Sequence, residues 1–488
     1  MYHISDLRKY LRCPRLFQLS FNEKSTSFNP YVRLDQQVTE LAIEKLKIDD
    51  YFLGVVNDEP DKALDAMNNY DWIVKGRFEY KNLRIKVPFL HKNEDGWNLY
   101  FLFIGNFPHE DDVLFYTSTV WVLINNDINI KDINIIHLNN EYVREDELDV
   151  NKLFVISNHF YNAKNNKASN VKELIFRKMR DYSSILSKMN NLEENELVEP
   201  KRVKACTRFG KCKYYDDCFN EEKIEDNSIL TLVSSQYKHH MYKDGIRYLK
   251  DVDLDRLEGS RKQYAQIRAD ENGGLFYDKF GLSLWLSKIK FPISFLDFEW
   301  ETFSIPPYKG MKTYDVLPFQ YSLHILDENN NITHKEFIGF NDTRLDLINN
   351  LINDIPLEGS IMAYNGNAAE KLRIKELAKS FPEYKKQLMN IHSRIIDLQF
   401  PFDLGLIYDT RMKGQYSLKR IMSVVDEVGY DGLEIDEGMK AVYNWRFVDR
   451  AVNNEEKEEI IKNLKLYCAM DTYSMIVIYR WLKKLVVK

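Results

Sequence analysis

Two carboxylates separated by a single residue are the first positions of this chain that could do chemistry. Asp297 and Glu299 stand at the end of a short apolar run, residues 291–296, and such a run between turn signals predicts a buried strand. Because side chains alternate faces along a strand, both carboxylates project from the same face. Adjacent carboxylates repel each other unless a cation lies between them, and Mg²⁺ prefers oxygen ligands. The pair therefore predicts part of a divalent-metal site.

Further acidic and aromatic positions follow along the chain. Glu370 lies on a helix that is predicted directly after a strand, and Asp397 follows a later helix. Tyr467 and Asp471 are four residues apart on a helix near the C-terminus, so they share one helical face. These positions could complete the site that Asp297 begins.

In this order, the motifs resemble the DnaQ-like 3′–5′ exonuclease superfamily, in its Tyr-containing (DEDDy) subclass, over residues 291–488. That superfamily has the pattern Asp-x-Glu, then an acidic residue, then Tyr-x-x-x-Asp. More narrowly, the chain resembles an uncharacterised bacterial family of this superfamily, known as a domain of unknown function. The segments that carry the narrower resemblance are 295–299, 318–324, 364–371, 394–398, 416–420 and 467–472.

The resemblance implies an RNase H-like fold and a metal-dependent nuclease that hydrolyses phosphodiester bonds of DNA or RNA, from a 3′ end. It implies two bound Mg²⁺ or Mn²⁺ ions, whose ligands are Asp297, Glu299, Glu370 and Asp471. Tyr467 would orient the attacking water. The superfamily usually has Asp where this chain has Glu370, which is one methylene longer, so Asp397 stays open as the alternative ligand.

A short motif, Tyr416-Ser-Leu-Lys-Arg420, has two interpretations. Ser417 and Lys419 could contact a phosphate group. Alternatively, Ser417 caps the start of a helix and the cations that follow are exposed on its surface. The sequence does not separate the two.

Cysteines form the second candidate site. The chain has five, and three of them, Cys206, Cys212 and Cys218, lie within thirteen residues. In a reducing cytoplasm, clustered cysteines indicate a metal site rather than disulfides. Together with Cys13 they could close an iron–sulfur or zinc site.

The same cysteines, with their flanking residues, resemble the iron–sulfur RecB-type (PD-(D/E)XK) nuclease modules over about residues 1–220. The resemblance implies that one N-terminal and three later cysteines bind a [4Fe–4S] cluster, with Zn²⁺ as the alternative. The nuclease core of that module does not match, because apolar residues and Lys86 stand where its acidic ligands are expected. We expect a degenerate module, with Glu79, Asp111 or Asp112 open as misaligned ligands.

Length and composition bound the remaining possibilities. With 488 residues, the chain is longer than one domain normally is. We predict a module over 1–225, a mostly helical connector over 226–290 and an exonuclease domain over 291–488.

A net charge of −6 excludes a broadly basic nucleic-acid-binding coat but not a local groove. Without a secretory signal or an apolar run long enough to cross a bilayer, we expect a cytoplasmic protein.

The hydrophobic patterns predict an α/β protein. Helices are predicted over 1–20, 36–47, 147–164, 171–190, 343–353, 368–379, 383–391, 416–425 and 455–485, and strands over 72–80, 83–90, 97–104, 113–116, 120–124, 293–298, 317–326, 332–339 and 360–364. Besides the nuclease, two other functions stay open. One is a catalytically silent nucleic-acid-binding or scaffold protein, and the other is an adaptor whose iron–sulfur cluster senses redox state.

Overall fold

A computed structural model describes residues 1–21, 31–110, 113–193, 196–207, 211–219, 224–257, 259–425, 430, 433–435 and 437–487. The chain divides into two compact units. The first comprises Met1–Glu221 and Phe303–Asp315, and the second comprises Glu222–Thr302 and Val316–Lys488. Both units combine helices with mixed sheets, which confirms the predicted α/β class.

The first unit is built around a mixed sheet. Its helices are α1 (Ile4–Arg12), α2 (Pro14–Phe21), α3 (Tyr31–Leu46), α4 (Pro60–Ala66), α5 (Val113–Ile124), α6 (Val150–Leu153), α7 (Val171–Lys178), α8 (Ser183–Glu193) and α9 (Tyr215–Phe219). Its strands are β1 (Tyr2–His3), β2 (Phe52–Leu53), β3 (Trp72–Tyr80), β4 (Leu83–Asn93), β5 (Gly96–Phe103), β6 (Ile130–Leu138), β7 (Phe154–Ser157), β8 (His159–Tyr161) and β9 (Lys167–Asn170). The main sheet has the order β2-β3-β4-β5-β6-β7, with β1 beside β4. Strands β3 to β5 form an antiparallel meander, and α5 connects β5 to the parallel strand β6.

The two strands predicted over 113–116 and 120–124 are wrong, because these residues form the single helix α5. Its β-branched and aromatic residues favoured a strand prediction. In the helix, three hydroxyl groups donate back to carbonyls one turn earlier: Thr117 to Val113, Ser118 to Leu114 and Thr119 to Phe115. These bonds satisfy the hydroxyl groups inside a helix that is buried around most of its circumference.

Three predicted helices of the first unit also differ from the structure. The helix predicted over 1–20 is divided into α1 and α2, because Cys13 between them has an extended backbone. Of the helix predicted over 147–164, only α6 is helical, and β7 and β8 follow it directly. Residues 171–190 form α7 and α8 instead of one helix, since Met179 leaves α7 with an extended backbone. The antiparallel strands β4 and β5 are joined by a tight turn between Asn93 and Gly96.

The second unit has a mixed sheet of five strands in the order β13-β12-β11-β14-β15. Its strands are β10 (Leu275–Tyr277), β11 (Ile293–Thr302), β12 (Val316–Leu326), β13 (Ile332–Ile338), β14 (Ser360–Ala363), β15 (Ile395–Asp397) and β16 (Ile407–Asp409). Its helices are α10 (Lys238–Lys243), α11 (Arg261–Glu271), α12 (Lys279–Leu286), α13 (Arg344–Asp354), α14 (Glu370–Ser380), α15 (Lys385–Arg394), α16 (Phe400–Asp403), α17 (Leu418–Val425), α18 (Gly438–Phe447) and α19 (Asn454–Val487).

The predicted elements of residues 291–488 are confirmed to within a few residues at each end, and the strands β15 and β16 and the helices α16 and α18 were not predicted. Strand β11 is the centre of the sheet: it runs antiparallel to β12 and parallel to β14. Apolar side chains on its two faces pack into two separate clusters, with Phe295 in one and Leu296 in the other. Residues 226–290 are mainly helical and belong to the second unit.

Candidate metal centre

The carboxylates of Asp297 and Glu299 lie on β11 just past the point where its pairing with β14 ends. Strand β14 pairs with β11 only as far as Phe295, whereas the pairing with β12 continues beyond Glu299. The carboxyl ends of parallel strands are where open α/β sheets usually bind ligands. The sequence places both acids at this edge because the apolar run ends immediately before them.

The long helix α19 brings a third carboxylate to the same place. One oxygen each from Asp297, Glu299 and Asp471 lies within 4.8 Å of the other two. Glu299 and Asp471 are 9 % and 7 % exposed, so the cluster is largely buried. Tyr467, one helical turn before Asp471 on the same face of α19, opposes the rise in the pKa of that carboxylate. Three oxygen ligands at this spacing are suited to a hard divalent cation.

Burial gives these carboxylates an unusual affinity for protons. It raises the pKa of Asp297 and of Glu299 well above the ordinary range, and the negative charge of Asp471 raises both further. Burial also raises the pKa of Asp471 to about 6. A cation bound among them would remove this penalty, so the cluster is chemically suited to a metal ion.

A second tyrosine contacts Asp471 from another part of the chain. Tyr430 donates a hydrogen bond of 2.5 Å to Oδ1 of Asp471, and this bond opposes the rise in the pKa of Asp471. The thiol of Cys468 lies 3.6 Å from Oδ2 of Asp297 as a donor. Burial raises the pKa of Cys468, so its thiol stays protonated and able to donate.

Glu370 and Asp397, the two candidates for the fourth ligand, differ in their hydrogen bonds. Glu370 begins α14, is 1 % exposed, and among the described residues nothing donates to its Oε2. Burial raises its pKa to about 8, and its charge raises the pKa of Asp297. Asp397 accepts backbone hydrogen bonds on both oxygens, from Asn367 and Gln399. A buried carboxylate oxygen without a donor, next to the cluster, fits a metal ligand better than a carboxylate already satisfied by the backbone.

The two interpretations of the 416–420 motif apply to different residues. Ser417 accepts a 3.3 Å hydrogen bond from the amide of Arg420, two positions into α17, as a capping serine does. Lys419, in contrast, is half-buried, and its Nζ lies 4.8 Å from the ring centroids of both Tyr430 and Tyr467. The serine caps the helix, and the lysine lies beside the acidic cluster, where it opposes the rise in the pKa of Glu299 and Asp471.

In the first unit, the structure brings all four predicted cysteines to one pocket. Cys13, Cys206, Cys212 and Cys218 line it together, and each is half-buried and free of disulfide bonds. Burial raises the pKa of Cys206, and negative charge on the other three raises it further.

Two arginines fix the segments that carry these cysteines. Arg12 donates to the carbonyls of Ala205 and Cys206, and Arg15 donates to the sulfur of Cys218 at 3.3 Å. Arg12 immediately precedes Cys13, and Arg15 lies two residues after it. The short N-terminal segment that carries Cys13 therefore also positions the distant cysteine-rich segment.

In the sheet of the first unit, basic and apolar residues lie at the positions where the nuclease module would have acids. Lys86 on β4 pairs with Arg77 on β3, and Leu90 pairs with Leu99 on β5. Glu79 is half-buried on β3 and pairs with Arg84. Asp111 and Asp112 lie outside the described residues.

Sequence reasoning singled out neither Tyr430 nor Cys468. Tyr430 belongs to no motif, so no local signal could have indicated its contact with Asp471. Cys468 lies one residue after Tyr467, and its contact with Asp297 depends on how α19 crosses β11.

No helix in the described part of the chain is both long and apolar enough to span a bilayer.

Comparisons with known proteins find one family and one relative that are similar to parts of this chain. A family described as "Domain of unknown function (DUF2779)" matches residues 294–417. A relative, "Uncharacterized protein MG366" of Mycoplasma genitalium, is 27 % identical over 227 residues, which are 41 % of this chain and 33 % of that protein. The chain therefore spans about a third of the length of the curated relative that it matches. No solved structure matches the chain significantly. The match confirms that residues 294–417 resemble a domain of unknown function, and it shows no nuclease superfamily.

Proposed function

We propose that the second unit is a metal-dependent 3′–5′ exonuclease of the DnaQ-like, RNase H-like type. The observation that carries this proposal is the meeting of Asp297, Glu299 and Asp471 within 4.8 Å, with Tyr467 one helical turn from Asp471. The five-stranded mixed sheet, with antiparallel strands on one side of β11 and parallel strands on the other, supports the RNase H-like fold.

In this function Asp297, Glu299 and Asp471 would hold two Mg²⁺ or Mn²⁺ ions, and Oε2 of Glu370, which has no hydrogen-bond donor among the described residues, would be the remaining ligand. Bound ions would polarise the phosphoryl oxygens and activate water for in-line attack. Burial raises the pKa of Tyr467 far above neutrality, so its phenol stays protonated and can hydrogen bond to the attacking water. The water oxygen bonds to phosphorus as the bond to the 3′ oxygen breaks, releasing a nucleoside 5′-phosphate and a 3′-hydroxyl end.

The test is cleavage of 5′-labelled single-stranded DNA and RNA with Mn²⁺. Asp297→Asn keeps the shape of the side chain and removes one charge, and we expect a loss of at least about 100-fold in kcat/KM. Asp346→Asn, an exposed aspartate of α13, is the matched control and should act like the wild type. If wild type and Asp297→Asn cut both nucleic acids equally or not at all, the enzymatic function is rejected and the silent nucleic-acid-binding protein is preferred.

For the first unit we propose a [4Fe–4S] cluster bound by Cys13, Cys206, Cys212 and Cys218, in a degenerate RecB-like module of a cytoplasmic protein. Four cysteines that line one pocket could bind either a [4Fe–4S] cluster or Zn²⁺. We prefer the cluster because the cysteine pattern resembles that of the iron–sulfur RecB-type modules.

Anaerobically purified protein should therefore be brown, with about four irons per chain. Replacing Cys212 by Ser should remove most of the iron, whereas Cys468→Ser, the fifth cysteine, should leave it in place. Zinc without iron in the wild type would contradict the cluster, independently of the outcome for the exonuclease.

A further inference from the structure

The motif at residues 318–324, which the proposed function does not use, places three polar side chains on one face of β12. The members of this polar row are Gln320, Ser322 and His324. The residues between them belong to the apolar cluster on the other face of the sheet. Asp297 and Glu299 on β11 pair across the sheet with two members of the row. Because paired residues share a face, the polar row lies on the same side of the sheet as the acidic cluster.

The long helix α19 is hydrogen bonded to the polar row at two points. Nε2 of Gln320 donates to the carbonyl of Leu464 at 2.9 Å. Two helical turns later, Oγ1 of Thr472 lies 2.8 Å from Oγ of Ser322 and 2.8 Å from Nδ1 of His324. Positions 464 and 472 lie on one face of the helix, since they are eight residues apart. This face of α19 is therefore joined to β12 by directional contacts.

The hydroxyl group of Thr472 uses all of its hydrogen-bonding capacity. It donates its proton to the carbonyl of Ala469 at 3.0 Å, within its own helix. Its oxygen therefore accepts from both Ser322 and His324. The proton of Ser322 is used in this bond, so its oxygen accepts from Nε2 of His334 on β13 at 2.9 Å. Each hydroxyl group has a donor and an acceptor, so the network defines one arrangement of β12, β13 and α19.

This network can fix the position of α19 along its own axis, which apolar packing does poorly. The apolar side chains of α19 belong to a large buried cluster, and such contacts are non-directional. Hydrogen bonds require a narrow range of distances, so a buried polar network can specify register. A slide of about 1.5 Å, the rise of one helical residue, would break the bonds of Thr472. The same slide would move Asp471, the preceding residue, away from the other carboxylates.

We propose that the polar row of β12 is a positioning element of the metal centre, which acts through Thr472 to fix the register of α19 and hold Asp471 in the acidic cluster. The members of the row are positioning residues, because they act through Asp471. The consequence for metal binding rests on the proposed function. The register itself is a property of the metal-free protein and is tested without any ion.

The first experiment measures the register of metal-free α19, with Cys468 as the reporter. Cys468 is fully buried on the same helical face as Thr472, so iodoacetamide labels it only when this part of the helix opens. Mass spectrometry separates its labelling from that of the other cysteines. Thr472→Val keeps the shape and removes the hydroxyl group, and we expect labelling at least about fivefold faster, as the loss of one hydrogen bond implies. Thr472→Ser keeps the hydroxyl group and should restore the wild-type rate.

Thr231→Val is the matched control. It removes another buried hydroxyl group of the second unit, which donates to the carbonyl of Ser228. It should lower stability by a similar amount and leave the labelling of Cys468 unchanged. Equal acceleration in both variants, or none in Thr472→Val, would overturn the proposal. If Thr472→Val does not fold, Ser322→Ala takes its place, because it removes one of the two bonds to Thr472 and leaves the other; the same two outcomes then decide.

The second experiment measures Mn²⁺ affinity by calorimetry at a temperature where every variant is folded. We expect Thr472→Val to lose at least about tenfold, Thr472→Ser to stay within about twofold of the wild type, and Thr231→Val to match it. Wild-type affinity in Thr472→Val would overturn the link between the register and the metal centre. Failure of the wild type to bind Mn²⁺ would reject the proposed function, whereas the labelling result would still decide whether the polar row fixes α19.

Discussion

Tyr430 donates a 2.5 Å hydrogen bond to Asp471, although forty-one positions separate the two residues along the chain. The bond ties Tyr430, which lies between α17 and α18 in the sequence, to the helix α19. The proposed metal ligand Asp471 is therefore held by a distant residue before any ion binds.

Tyr430→Phe removes this hydrogen bond and leaves the ring. Since the bond is made to a carboxylate, we expect the free energy of unfolding to fall by about 1.5–3 kcal/mol at pH 7.5, measured with urea. Mn²⁺ affinity should fall several-fold because Asp471 retains its proton to higher pH. Tyr237→Phe, which is 56 % exposed, is the control. Equal stability of the Tyr430→Phe and Tyr237→Phe proteins would show that the contact contributes nothing.

The acidic centre should make metal binding strongly dependent on pH. The pKa of Asp471 is raised to about 6 and that of Glu370 to about 8, so between pH 6 and pH 8 an incoming ion must displace protons. Mg²⁺ should bind more tightly at pH 8 than at pH 6 and release protons as it binds. Calorimetry in two buffers of different ionisation enthalpy measures this release.

The same groups set the stability of the metal-free protein. A carboxyl whose pKa is raised on folding stabilises the fold below its unfolded pKa, near 4, and this contribution is lost as the pH rises through 6 for Asp471 and 8 for Glu370. The increase in melting temperature caused by Mg²⁺ should therefore be larger at pH 8 than at pH 6. An equal or smaller increase at pH 8 would contradict these shifts.

Glu370→Gln and Asp397→Asn form a matched pair that identifies the fourth ligand. Glu370→Gln should weaken Mn²⁺ binding at least tenfold and stabilise the metal-free protein at pH 8, because a buried charge is removed. Asp397→Asn should leave Mn²⁺ affinity nearly unchanged but lower the free energy of unfolding by about 1–3 kcal/mol, since its two backbone hydrogen bonds need acceptor oxygens. The reverse pattern would assign the ligand to Asp397.

His324 should make the second unit sensitive to mild acid. Burial, helped by the stacked ring of His334, lowers the pKa of His324 to about 4. A histidine with a lowered folded pKa contributes stability above its unfolded pKa, near 6.5, and this is lost as the pH falls towards 4. The loss is at most about 1.4 kcal/mol per pH unit, and less because His324 is only partly buried.

Replacing His324 by Gln removes this titration. The difference in the free energy of unfolding between pH 6.5 and pH 5, measured with urea, should shrink in this variant relative to the wild type. His240→Gln, an exposed histidine, should keep the wild-type difference. A difference of the same size in the His324→Gln protein would exclude His324 as the source.

Local patterns in the sequence were sufficient for most of the second unit. The apolar run before Asp297 and the four-residue spacing of Tyr467 and Asp471 predicted a strand and a helix that the structure contains. These signals are local, since strand and helix periods fix which side chains share a face. They failed at α5, where burial on most sides and hydroxyl-to-carbonyl bonds outweighed the strand preference of the individual residues.

The sequence by itself determined which residues could bind a metal ion, because carboxylate type and spacing are local properties. In the same way, the sequence identified four of the five cysteines as one candidate metal site. Only the tertiary structure decided that Oε2 of Glu370 lacks a donor while Asp397 is already hydrogen bonded, and that Tyr430 and Lys419 join the centre. These relationships depend on how distant segments pack, since a hydrogen bond or a buried charge is defined by neighbours in space rather than along the chain.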